Sequence, residues 1–142
     1  MSFNINKYLE IKKFFNKSMF SSEKINNTII AVSKTRKIDD VQEALKLGIR
    51  HFGEIRIKEA IDKFTILKNK QKDIQLHMIG AIQSNKVKKA LKIFDHFHSL
   101  DRNGLAVEFS KYPKDISSKS FFIQVNTGND VQKSGIHPKQ TS

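Results

Sequence analysis

Apolar positions recur along this chain in two rhythms. Over residues 3–20, Phe3, Ile5, Leu9, Ile11, Phe14, Phe15 and Met19 return at roughly helical spacing with lysines between them, which predicts an amphipathic helix packing its stripe on a core. Ser21, Ser22, Asn26 and Asn27 mark a polar connection. Residues 28–33 then read as a first strand, because Ile29, Ile30, Ala31 and Val32 form an unbroken apolar run of the kind buried on both faces of a helix-covered parallel sheet.

The same alternation continues to the end. A helix is predicted over 37–48, with Asp39 and Asp40 at its positive end, Val41, Ala44 and Leu45 on one face, and Gly48 free to take a left-handed cap. Strands at 49–53, 75–80, 94–99 and 120–126 alternate with helices at 56–67, 84–91 and 101–111, and Pro113 places a loop over 112–119. Five strands separated by crossovers predict a parallel α/β architecture, with the carboxyl ends of all strands on one face. Those ends are Lys34, Gly53–Glu54, Gly80, Ser99–Leu100 and Asn126–Thr127. In open sheets and (β/α) barrels alike, ligands bind at that face.

Length and composition narrow the picture. A chain of 142 residues supports one domain with a core, here 1–27 as helix and linker and 28–142 as β/α repeats. Without cysteine there are no disulfides, thiolate nucleophiles or cysteine–zinc sites, which fits a cytoplasmic setting. The first twenty residues are broken by Lys7, Glu10, Lys12, Lys13 and Lys17, so neither a signal peptide nor a membrane span is expected. The formal net charge of +12 is spread along the chain and only 4 of the 26 basic residues are arginine, so a dedicated nucleic-acid surface is not expected. Lys86, Lys88, Lys89 and Lys92 fall outside the Val87, Ala90, Leu91 stripe and read as a solvated face.

The candidate chemistry centres on Lys34, directly past the first strand. An unprotonated lysine amine is a nucleophile that forms a Schiff base with an aldehyde, and an apolar wall favours that form by desolvation. Position alone leaves a solvated loop lysine as the alternative. His51, His77, His96, His98 and His137 lack a ligand spacing or carboxylate set, so no metal is expected. No phosphate-binding glycine loop or catalytic triad pattern is present.

Taken together, Ala31-Val32-Ser33-Lys34-Thr35, His51-Phe52-Gly53-Glu54, His77-Met78-Ile79-Gly80 with Gln83-Ser84-Asn85-Lys86, Gln124-Val125-Asn126 and Lys133-Ser134-Gly135 resemble, in order and spacing, the pyridoxal 5'-phosphate homeostasis protein family. The resemblance runs from about residue 28 to 136. It implies a TIM barrel of the alanine racemase N-terminal type, of which about five of eight strands are present. It also implies pyridoxal 5'-phosphate held covalently on Lys34, with His77 and Gly80 lining the pocket, and a role in vitamin B6 homeostasis without an established catalytic reaction. The chain departs from the family's G-E-N-Y at Ile55 and Arg56, and carries Ala81 where the family often has histidine or proline. The family's phosphate-gripping serine and glycine, and an arginine near the ring, lie in strands beyond residue 142. A C-terminally truncated member is therefore expected, with weakened cofactor retention. It would expose an unpaired edge at the fifth strand that favours self-association. The competing readings are a fragment without function and a basic nucleic-acid-binding module built on the Lys86–Lys92 surface.

Overall fold

A computed structural model describes residues 4–17, 28–128 and 130–141. In chain order the elements are α1 (Ile5–Lys17), β1 (Ala31–Val32), α2 (Ile38–Lys46), β2 (His51–Glu54), α3 (Ile57–Lys70), β3 (Gln75–Met78), α4 (Val87–Leu91), β4 (His96–Leu100), α5 (Asn103–Ser110), α6 (Pro113–Ile116) and β5 (Ser120–Ile123). Short 3₁₀ turns at Ser84–Lys86 and Pro138–Gln140 complete them. The five strands form one parallel sheet in the order β1-β2-β3-β4-β5, so each crossover returns the chain to the neighbouring position. The predicted parallel α/β architecture is what forms. The sheet is open, with β1 and β5 at its edges.

The outer face of the sheet carries the core. Phe52, Leu76, Met78 and Phe97 point from β2, β3 and β4 into a layer made by Val41, Ala44 and Leu45 of α2, Ala60, Phe64 and Leu67 of α3, Val87, Ala90 and Leu91 of α4, and Leu105 and Phe109 of α5. Each of these four helices brings apolar residues three or four positions apart, so burial of one stripe per helix accounts for where they dock. Ring packing of Phe97 on Phe121 (5.1 Å between centroids) and edge-on against Phe109 (5.0 Å) extends the layer to β5. Asp39 and Asp40 lie in the first turn of α2, where Asp40 accepts the Lys37 N–H, and Gly48 takes the left-handed φ of 84° that ends it.

Four expectations are corrected. The apolar stripe of α1 does not pack on the core, since Ile5, Leu9, Ile11 and Phe14 are exposed. The first strand is not covered on both faces: Val32 is 50% exposed, because no layer of the described residues lies over the inner side of the sheet there. Its ladder also shortens to Ala31–Val32, extended one step by the Ser33 N–H donating to Gly53 O (3.0 Å). Residues 112–119 are not simply loop. Pro113 sits at the first position of α6, where its fixed φ suits a helix start and its missing N–H costs nothing. Of the predicted first helix, residues 3 and 18–20 lie outside the described residues, as does the polar connection at 21–27.

Candidate functional site

The sheet alternates sharply between its faces at the carboxyl end of β1. Ser33 turns to the helix side and is buried, whereas Lys34 next to it follows the alternation of Val32 onto the open side and is exposed. Lys34 occupies the second position of a turn closed by the Arg36 N–H donating to Ser33 O (3.1 Å). Thr35, the third residue of that turn, has φ 61°. That conformation is normally left to glycine or asparagine, and for a β-branched residue it persists only when the surroundings hold it.

A charged cluster under the turn supplies the hold. The Lys63 ammonium, on the buried face of α3, donates to Ser33 O (2.6 Å) and pairs with Glu54 (2.5 Å) and Glu59 (3.0 Å). Glu54 also accepts from the Ser33 hydroxyl (2.7 Å), and Glu59 accepts the Thr35 N–H (2.6 Å). The backbone on both sides of Lys34 is thus fastened to side chains of β2 and α3. Hydrogen bonding to Lys63 and to Thr35 outweighs desolvation and holds the Glu59 carboxyl below its ordinary range. Glu54 Oε2 has no hydrogen-bond partner among the described residues, so its charge is balanced through Oε1 alone.

Gly80 and His77 fall at the same end of β3, with different duties. A Cβ on Gly80 would lie 2.7 Å from Ile55 O and 2.9 Å from its Cα, so only glycine lets the two strand ends approach, and Ser99 Oγ donates to the Gly80 carbonyl (2.6 Å). His77 pairs in register with Gly53, which pairs with Val32, so it lies on the inner face one inward step before the level of Lys34. Burial holds its imidazole neutral, with neighbouring histidines adding to the effect, down to a pKa of about 3.

Beyond β5, the Gln124–Asn126 and Lys133–Gly135 motifs meet. Val125 bridges Ile136 in parallel, Asn126 Nδ2 donates to Asp130 O (2.8 Å), and Gln124 Nε2 donates to Ser134 O (3.1 Å). Gly135 has φ 124° and faces Asn126 N, which a Cβ there would approach to 2.8 Å. Gln124, Val125, Asn126, Lys133 and Ser134, with Ile79 and Ala81 from the end of β3, line a cleft of about 460 Å³ at the ligand-binding end of the sheet.

The sequence reading placed Lys34 and Glu54 at strand ends but did not single out Lys63 or Glu59. The available signal was a lysine at 63 inside the apolar stripe of Ala60, Phe64 and Leu67, with a glutamate four positions earlier. The apolar wall expected to desolvate Lys34 is not supplied by the described residues, since Lys34 is exposed. Lys86, Lys88, Lys89 and Lys92 are exposed around α4, as a solvated face requires.

No family model matches the chain. Curated relatives include the pyridoxal phosphate homeostasis proteins of Buchnera aphidicola subsp. Acyrthosiphon pisum, 42% identical over 106 residues (74% of this chain, 52% of the relative), and of Vibrio cholerae, 36% identical over 115 residues (79% and 49%). Among solved structures, PipY of Synechococcus elongatus with PLP bound superposes with a TM-score of 0.75 at 28% identity, covering 92% of this chain and 58% of PipY. PipY without PLP gives 0.71 at 37% identity, covering 78% and 52%. The chain spans about half the length of the curated relatives it matches. Over that shared half, with Lys34 in its pinned turn and the paired motifs at the strand ends, the chain belongs to the pyridoxal phosphate homeostasis protein family.

Proposed function

We propose that this chain carries the covalent half of a pyridoxal 5'-phosphate site and serves intracellular vitamin B6 homeostasis in the cytoplasm. Lys34 is the residue that joins the cofactor's aldehyde as a Schiff base, releasing one water. The observation that carries the reading is a primary amine at the carboxyl end of β1, on a turn that Lys63, Glu54 and Glu59 fasten from below. The donor set fits such a cofactor: an amine that reaches solvent past β1 and, at the same end of the sheet, a polar cleft lined by Ile79, Ala81, Gln124, Asn126 and Ser134. When bound, the cofactor supplies an aldehyde and an electron-withdrawing ring. The chain's own residues orient the amine, and Gly80 brings the β2 and β3 ends together at the pocket wall. Five strands in sequential order, each returning beside the last, match the start of a closed (β/α) barrel, and the superposition on PipY supports that architecture.

The test is reductive trapping. Incubation with pyridoxal phosphate followed by borohydride is expected to place one pyridoxyl group on Lys34 by peptide mass mapping. An unchanged imine absorbance band in Lys34→Ala, or label scattered over exposed lysines, overturns the assignment.

A further inference from the structure

Four histidines far apart in sequence meet on the inner face of the sheet. His51 opens β2, His77 stands in β3, and His96 and His98 stand in β4. One ring nitrogen from each of His51, His77 and His96 lies within 4.8 Å of the other two. His51 Nδ1 and His77 Nε2 are 3.0 Å apart. The rings of His77 and His96 stack with centroids 4.3 Å apart. Two nitrogens bound to one tetrahedral zinc at 2.0–2.1 Å are roughly 3.4 Å apart, so the His51–His77 spacing is close to that of neighbouring ligands.

The second ring nitrogens of His77 and His96 each have a partner that leaves the other nitrogen free to ligate. His77 Nδ1 lies 2.9 Å from His98 Nε2, so His98 can accept the His77 Nδ1–H and leave Nε2 as the lone-pair nitrogen. His96 Nε2 lies 3.1 Å from Gln75 Oε1, which accepts its N–H and leaves Nδ1 unprotonated. Ligating histidines are commonly oriented in this manner by a second hydrogen bond from the other nitrogen. Burial lowers the proton affinity of His51, His77, His96 and His98 alike, which keeps their lone pairs available at neutral pH.

A chain of imidazole hydrogen bonds from His51 through His77 to His98 satisfies those three rings without an ion. It does not use His96, whose ring is held against His77 by Gln75. The donor set, three neutral nitrogens and no carboxylate oxygen, disfavours magnesium and calcium and suits zinc, copper or nickel. His51 and His96 are half-buried on the open side of the sheet, which leaves an approach for the ion and room for water as a further ligand.

We propose that His51, His77 and His96 form a binding site for a divalent transition metal of the zinc type, with His98 orienting His77. The site does not include the amine of Lys34, and metal titration of the cofactor-free chain is read apart from the borohydride label on Lys34, so that either reading can fail without the other.

The experiment uses the whole chain, stripped with a chelator and titrated with zinc by calorimetry and with cobalt by absorption spectroscopy. One ion per chain and ligand-field bands of a nitrogen-bound cobalt are expected. His51→Asn and His96→Asn, both at half-buried positions, are each expected to weaken binding by at least tenfold while their circular dichroism stays that of the parent. His137→Asn, on an exposed residue outside the cluster, is expected to change nothing. Equal affinity in the parent, His51→Asn and His96→Asn overturns the proposal. So does binding seen only at millimolar zinc, or a cobalt spectrum identical to that of the free aquo ion.

Discussion

The two faces of the sheet are built on opposite principles. On the outer face, Phe52, Leu76, Met78 and Phe97 are no more than 1% exposed and meet apolar stripes from four helices. On the inner face, Val32 and Phe122 are half exposed, and the residues between them are largely polar, including the four histidines and Gln75. The outer face secures the fold by removing apolar area from water. The inner face and the strand ends hold groups whose lone pairs or amines remain usable. The Lys63–Glu54–Glu59 cluster stands where the two meet, and its Lys63 and Glu54 are buried.

Five measurements press on that contrast, and circular dichroism serves as the probe of unfolding because the chain has no tryptophan. Phe64→Ala, which empties a fully buried site between α3 and β2, is expected to lower unfolding free energy by about 3–5 kcal/mol in denaturant melts. A loss below about 1 kcal/mol would show that the outer layer is not the core. Lys63→Met strands the Glu54 carboxylate in the interior and is expected to cost about 3 kcal/mol, whereas Lys63→Met combined with Glu54→Leu recovers much of it. If the double variant is as unstable as the sum of the singles, the pair is not the coupled unit described.

Phe122→Ser on the inner face is expected to change stability by no more than about 1 kcal/mol. Because β5 is an open edge with Ile123 58% exposed, concentration-dependent light scattering is expected for the parent. Ile123→Lys should diminish it. Scattering independent of concentration in both would remove the edge as an association surface. Lys34→Ala is expected to have the smallest effect on stability, within about 0.5 kcal/mol, while abolishing the borohydride label. A large destabilisation would mean that Lys34 belongs to the scaffold.

Much of the fold was legible because its signals are local. The α2 stripe of Val41, Ala44 and Leu45 and the Gly48 cap needed nothing beyond a dozen consecutive residues. The boundaries of β1 were misjudged because four apolar residues in a row look alike whether the second face is covered or open. The α6 helix escaped notice because a single turn started by Pro113 is too short to show a period. At the candidate site, Lys34 and Gly80 were placed at strand ends through motifs. Lys63 was not singled out, because three of its four carbonyl and carboxylate partners, Ser33, Arg36 and Glu54, come from nine to thirty positions away.

What the amino-acid sequence determined by itself is the order of elements, the parallel crossover pattern, and the placement of one lysine after the first strand. Each follows from period, capping and punctuation, which are properties of short stretches. The tertiary structure alone decided how the Lys34 turn is fastened and which histidines meet. The reason is register: Val32 pairs with Gly53, Gly53 with His77 and His77 with His96, so residues up to 64 positions apart become neighbours through ladder hydrogen bonds that no local pattern encodes.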